Sequence, residues 1–181
     1  VPADATVECD AVPAPAQPTA TDNCDADVTI DLQEVITDGN CTDNYTITRT
    51  WTATDNCGNT DVATQVITVQ DTTDPILSGV PADATIDCSN IPAPAQPTAM
   101  DNCDTDVTIF YVENTADGSC ADNYTITRTW TATDNCGNEI SQTQTLTVQD
   151  IIDPIISGVP ADATVECDAV PAPAQPIATD N

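Results

Sequence analysis

The chain repeats itself every 79 residues, and that period limits what it can fold into more than any other feature. Val1-Pro-Ala-Asp-Ala-Thr6 returns as Val80-Pro-Ala-Asp-Ala-Thr85 and again as Val159-Pro-Ala-Asp-Ala-Thr164. Without a gap, 55 of the 79 positions in 1–79 match 80–158, and Asp43 to Asn59 is identical to Asp122 to Asn138. Residues 159–181 match 1–23 at every position except Ile177. The expected domains are one repeat at 1–79, a second at 80–158 and the start of a third at 159–181. Such a chain reads as a piece of a longer array.

A unit this small buries little surface, and aromatics make up only 3% of the chain. Something besides the core has to hold it. Nine cysteines fall at 9, 24, 41 and 57, then at 88, 103, 120 and 136, with Cys167 repeating Cys9. With no histidine and no CxxC spacing, the pattern argues against zinc. It reads as disulfides, hence as an oxidising, extracellular setting. No signal peptide or membrane span is visible, as expected of an internal segment of a secreted protein.

Thirty Asp and Glu stand against Arg49 and Arg128, a net charge of −28. That balance excludes nucleic acid and direct membrane contact as partners. It also calls for cations among the carboxylates. Disorder is the other home of such acidity, but alternating strands and paired cysteines argue against it.

Apolar residues recur with period two, the strand signal. Five strands are expected in a repeat: Ala3 to Cys9, Pro13 to Thr21, Asp27 to Ile36, Tyr45 to Ala53 and Val62 to Gln70. The second is proline-rich and can pair on one side at most. Val28, Ile30 and Leu32 are expected to face inward, as are Tyr45, Ile47, Trp51, Ala53, Ile67 and Val69. Strands of this length between Asp/Asn/Gly turns predict an all-β chain of tandem immunoglobulin-like β-sandwich repeats. Arg49 is in phase with Ile47 and Trp51, and Glu34 with Ile30 and Leu32. Arg49 and Glu34 form an expected structural ion pair, as do Arg128 and Glu113, although an arginine here can equally run out to the sandwich edge.

The run Thr50-Trp-Thr-Ala-Thr-Asp-Asn-Cys-Gly-Asn59 and the linker Val69-Gln-Asp71 to Asp74-Pro75 recur at 129–138 and 148–154. In these segments the chain resembles the hyalin-repeat-like (HYR-like), immunoglobulin-like modules arrayed in large secreted surface adhesins of Bacteroidota, including gliding-type adhesins. The resemblance implies a β-sandwich stalk exported to the cell surface.

In a sandwich of this kind, the loop after the second strand and the loop between the last two strands share one end. They carry Cys24 and Cys57. Cys9 and Cys41 share the other. The expected bonds are Cys9–Cys41 and Cys24–Cys57, with Cys88–Cys120 and Cys103–Cys136 in the second repeat. Closing Cys24 to Cys57 gathers Asp22, Asp25, Asp27 and Asp55. Linker residues Asp71 and Asp74 are expected to meet the matching loops of the next unit, at Asp101, Asn102, Asp104, Asp106 and Asp134. Oxygen donors at this density suit calcium, which takes six to eight of them at loose geometry. The plain alternative is a set of solvated acidic turns.

With no histidine, no lysine base and no nucleophile elbow, the chain is not expected to be an enzyme. Thr46, Thr48, Thr50, Thr52 and Thr54 form a regular rank that could meet a glycan, ice or another surface, though threonine is ordinary on a solvated strand face. The reading is a stalk or filament segment of an extracellular adhesin. Its expected partners are further copies of the repeat, with lateral packing through Phe110 and Tyr111 as a route to fibres. A glycan- or surface-binding β-sandwich module is the alternative.

Overall fold

The computed structural model describes Val1–Asp180. Twelve strands follow one another: β1 (Ala5–Glu8), β2 (Thr29–Asp38), β3 (Tyr45–Thr54), β4 (Thr60–Gln70), β5 (Ile76–Ser78), β6 (Ala84–Asp87), β7 (Thr98–Met100), β8 (Thr108–Cys120), β9 (Asn123–Thr133), β10 (Glu139–Gln149), β11 (Ile155–Ser157) and β12 (Ile177–Thr179). A single 3-10 turn at Cys9–Ala11 is the only helical element among the described residues. The chain is all-β, with sandwich-like sheets.

Each complete repeat builds the same four-stranded sheet, in the orders β1-β4-β3-β2 and β6-β10-β9-β8. β1 lies parallel to β4, with Ala5 opposite Ile67 and Glu8 opposite Gln70. β2 and β4 flank β3 in antiparallel register, placing Glu34 opposite Arg49 and Tyr45 opposite Val69. Two short pairs, β5 with β7 and β11 with β12, form separate sheets.

The proline-rich segment is the clearest case of sequence chemistry choosing structure. Pro13, Pro15 and Pro18 carry no N–H, so Pro13 to Thr21 forms no strand in the first repeat. Its counterpart pairs only at β7, just past the last proline, Pro97. Side chains from β3 hold the segment instead. Arg49 Nη2 donates to the Pro13 carbonyl at 2.8 Å, and Trp51 Nε1 to the Ala16 carbonyl at 3.2 Å. Arg128 treats Pro92 in the same way, at 2.8 Å.

By packing, the chain divides into two compact bodies. The first comprises Val1–Pro81, Ala95–Val112 and Thr129–Thr143; the second comprises Ala82–Pro94, Glu113–Arg128 and the residues from Gln144 onward. One core of the first body joins Ile47, Ile67 and Val69 to Val7, Cys9 and Tyr45. Its other core centres on Leu77, Trp130 and Ala132. In the second body Ile126, Leu146 and Val148 pack with Ile86, Cys88 and Tyr124. Each fully buried aliphatic side chain contributes about 1.5–3 kcal/mol.

The inward assignment fails for β2. Ile30 and Leu32 are each 36% exposed and Val35 and Ile36 more so, because β2 is a sheet edge and, among the described residues, no strand pair packs over it. In the second repeat, β5 and β7 supply that layer. There Ile109 and Tyr111 are half-buried, and the Tyr111 ring stacks at a tilt on Trp130, centroids 5.2 Å apart. Phe110 points to solvent.

Candidate functional site

The linker that leaves β4 at Asp71 organises the site. The parallel register sets Glu8 beside Gln70, so Cys9 stands where β4 hands over to the linker. Cys41 lies in the turn before Tyr45, which pairs with Val69 near the same end. That turn is tight: Gly39 N donates to the Asn44 carbonyl at 2.7 Å.

Cys9 bonds Cys103, with Cα atoms 5.8 Å apart, and Cys41 bonds Cys136, at 5.1 Å. This corrects the expected pairs Cys9–Cys41 and Cys103–Cys136, and with them the within-repeat rule that also gave Cys24–Cys57 and Cys88–Cys120. Cys9 and Cys41 do share an end, but the loops of the second repeat arrive at that end, and each cysteine bonds across the linker. Cys24, Cys57, Cys120 and Cys167 keep their thiols. Burial, then the charges of Asp87, Asp150 and Asp122, push the Cys88 thiol up.

Three of the expected metal ligands meet between these bonds. Asp71, Asp101 and Asp134 each place a carboxylate oxygen within 4.8 Å of the others. Asp71 is 4% exposed, and its Oδ2 has no hydrogen-bond partner; Asp101 Oδ2 is likewise buried and unpartnered. The remaining oxygens build the loops. Asp101 Oδ1 accepts from Cys103 N at 2.8 Å and Asp104 N at 3.0 Å. Asp134 Oδ1 accepts from the backbone of Cys136, Gly137 and Asn138, and Oδ2 from Asn138 Nδ2 at 2.7 Å.

Burial raises the Asp71 pKa, and the charges of Asp101, Asp134 and Glu8 add to it. Burial acts the same way on Asp134, but hydrogen bonds from Asn138, Cys136 and Gly137 outweigh it and hold that carboxyl below the usual range. Two buried carboxylate oxygens without donors, beside a third carboxylate, fit a hard divalent cation. Cys103 lies close to Glu8 and Asp71, but its sulfur is held in a disulfide and offers no thiolate.

The other named acids sit elsewhere. Asp104 uses Oδ1 on Asp106 N and Oδ2 on Asn135 N, both at 2.9 Å. Asp74, Asn102 and Asp106 are exposed. In the first repeat, Asp22 accepts from Cys24 N and Asp25 N, and Asp25 from Asp27 N and Asn56 N. Asp55 is held below the usual range, first by the Asn59 side chain. Among the described residues these four form no three-membered cluster.

Arg49, only 3% exposed, donates from Nε to Glu34 Oε1 at 2.7 Å, and Arg128 to Glu113 Oε2 at 2.8 Å. Sequence reasoning passed over Glu8, Asn44 and Asn138. Asn44 Oδ1 accepts from Asp71 N at 2.7 Å, and Asn138 Nδ2 reaches the Asp71 carbonyl at 3.3 Å. Asn44 and Asn138 lie inside or at the end of the invariant block, and that was their only signal.

No helix among the described residues is long and apolar enough to cross a membrane. No curated protein sequence matches the chain. Among solved structures it is similar to Drosophila N-cadherin EC1-4, at 12% identity and a TM-score of 0.33, over 82% of this chain and 48% of that one. The chain thus spans about half that structure's length, and a likeness this shallow carries no argument. The family model for HYR-like domains with four cysteines matches residues 1–69 and again 76–148. Two tandem matches cover most of the sequence, and the chain belongs to the family of HYR-like domains with four cysteines.

Proposed function

We propose that this chain is a stalk segment of an extracellular adhesin, in which tandem HYR-like repeats are joined by disulfides and stiffened by calcium held at the junction. The observation that carries the reading is the pair of bonds Cys9–Cys103 and Cys41–Cys136, which tie one repeat to the next instead of closing each on itself. A single linker would let neighbouring units swing. Two covalent ties and a cation shared by Asp71, Asp101 and Asp134 resist bending and pulling together. Calcium supplies positive charge among carboxylates that otherwise repel, and Asp71 Oδ2 and Asp101 Oδ2 are the oxygens left to receive it.

The disulfides support a secreted setting, and the partners in this reading are further copies of the repeat. The test is electron microscopy of arrays built from two, four and six copies of residues 1–79. A ten-residue strand such as β3 spans about 33 Å, so contour length should grow by a constant increment of that order per repeat. Chelation should shorten the mean end-to-end distance with every disulfide intact. Lengths that do not scale with repeat number would refute the stalk, and an unchanged distance after chelation would remove calcium from it.

A further inference from the structure

We infer that the groove over Trp51 is the seat of a linker strand from another repeat, and that Cys24 and Cys57 bond the two cysteines which that repeat carries at the positions of Cys9 and Cys41. The inference rests on the tandem-array reading and names the surface through which a further repeat joins. The groove encloses about 570 Å³ and is lined by Val1, Ala20, Val28, Ile30, Trp51 and Ala53, among others. Shifted by 79, those six become Val80, Ala99, Val107, Ile109, Trp130 and Ala132, and they all belong to the core around Leu77 of β5. Leu77 is only 5% exposed there. One surface therefore occurs twice in the first body, once filled by a linker strand and once unfilled, where Ile30 is 36% exposed although Trp51 keeps only 4%.

The edge that receives the strand is present as well. β5 pairs with β7, with Leu77 opposite Ala99 and Ser78 opposite Thr98. The counterpart of β7 is Thr19–Thr21, which has no strand partner among the described residues. Four lining residues differ: Thr21, Thr60, Asp61 and Ala63 stand where the filled surface has Met100, Glu139, Ile140 and Gln142. The open groove therefore lacks the bond from Gln142 Nε2 to the Leu77 carbonyl.

The thiols stand ready in loops already built. Cys24 N meets Asp22 Oδ1 at 2.8 Å, Asn56 N meets Asp25 Oδ2 at 2.7 Å and Cys57 N meets Asp55 Oδ1 at 2.9 Å. Around the bonded pair the same contacts measure 2.8 Å from Cys103 to Asp101, 2.9 Å from Asn135 to Asp104 and 2.8 Å from Cys136 to Asp134. The loops thus take one form with or without the disulfide, and docking asks for no rearrangement. Each new bond joins two thiol sulfurs with loss of two protons and two electrons. A small disulfide such as oxidised glutathione accepts them and leaves as two thiols.

The experiment adds a copy of residues 80–158 ahead of Val1, so that the incoming linker strand is Ile155–Ser157 and the first-repeat peptides stay unique in sequence. The lengthened chain is folded in a glutathione redox buffer. Cys24 and Cys57, free and exposed in the present chain, should be protected from alkylation and recovered bonded to the copies of Cys88 and Cys120. Amide exchange at Thr19–Thr21 should slow by roughly 100-fold as strand pairing forms. An I156D substitution in the added copy alone, which leaves the 181 native residues untouched, should restore fast exchange. Alkylation of either cysteine in the lengthened chain, or unchanged exchange at Thr19–Thr21, overturns the inference. If that happens while array length still grows by a constant step, the stalk reading stands without it.

Discussion

Asp71→Asn should change the stability of the chain in opposite directions with and without calcium. The Asp71 carboxylate lies within 4.8 Å of those of Asp101 and Asp134. Two unit charges at that distance repel by about 3–4 kcal/mol at an effective dielectric near 20. Loop N–H groups and partial protonation absorb most of this, leaving a net gain of about 1–2 kcal/mol for the neutral amide in chelator. For a chain of this size that raises Tm by roughly 3–6 °C. If calcium binds there as proposed, the same change removes a ligand oxygen. A bound cation at a hundred times its Kd stabilises by about 2.7 kcal/mol, so losing it lowers Tm by a similar number of degrees. Scanning calorimetry at neutral pH, with the disulfides intact, reads both. Shifts of the same sign in calcium and in chelator would refute the reasoning. Acidity supplies a further check. The Asp71 pKa is raised in the folded chain, so its side chain supports the metal-free fold below the ordinary aspartate value and loses that contribution as pH rises through the raised one. The advantage of D71N in chelator must therefore shrink on acidification. Asp55 and Asp134 run the other way, because their lowered values favour the fold above the ordinary value, and that contribution fades as pH falls.

Leu77→Ala removes the residue at the centre of the Trp130 core and should cost about 2–4 kcal/mol, measured as a drop in the urea midpoint at constant m. Arg49→Ala should cost about 2–3 kcal/mol by the same assay, less than for a wholly buried pair, because Glu34 is 41% exposed at its side chain while Arg49 also loses the Pro13 carbonyl. Gly39→Ala places a Cβ against the Asn44 carbonyl; it should loosen the turn that presents Cys41 and lower the yield of the Cys41–Cys136 bond in non-reducing mass spectrometry.

Strand positions were legible because Thr, Val and Ile alternate cleanly. The segment expected at Tyr45 to Ala53 runs Tyr45–Thr54, and the one expected at Val62 to Gln70 runs Thr60–Gln70. The cysteine partners were not legible. A 79-residue shift maps Cys24 onto Cys103 and Cys57 onto Cys136, so local sequence cannot say which copy meets Cys9 or Cys41. Packing of the second repeat's loops against the linker decides it. The acidic cluster was legible in part. Asp71, Asp101 and Asp134 could be named from loop and linker positions, but Asp104 looks the same in sequence and uses both its oxygens on backbone N–H groups. Glu8 reads as an ordinary residue of β1 until the parallel pairing with β4 sets it beside the linker, where its carboxylate accepts from the Thr72 backbone and hydroxyl.

The stalk account stands on ties that run between repeats. Each closes a loop of about 95 residues, for which loop-closure entropy gives about 4–5 kcal/mol for the first tie and less for the second, since the chain is then already closed. Peptide mapping of the oxidised, unreduced chain tests the point most directly. Recovery of Cys9 linked to Cys103 and Cys41 linked to Cys136 is the expected result. Recovery of Cys9 linked to Cys41, with Cys103 linked to Cys136, would contradict it and return each repeat to a separately closed domain on a flexible linker.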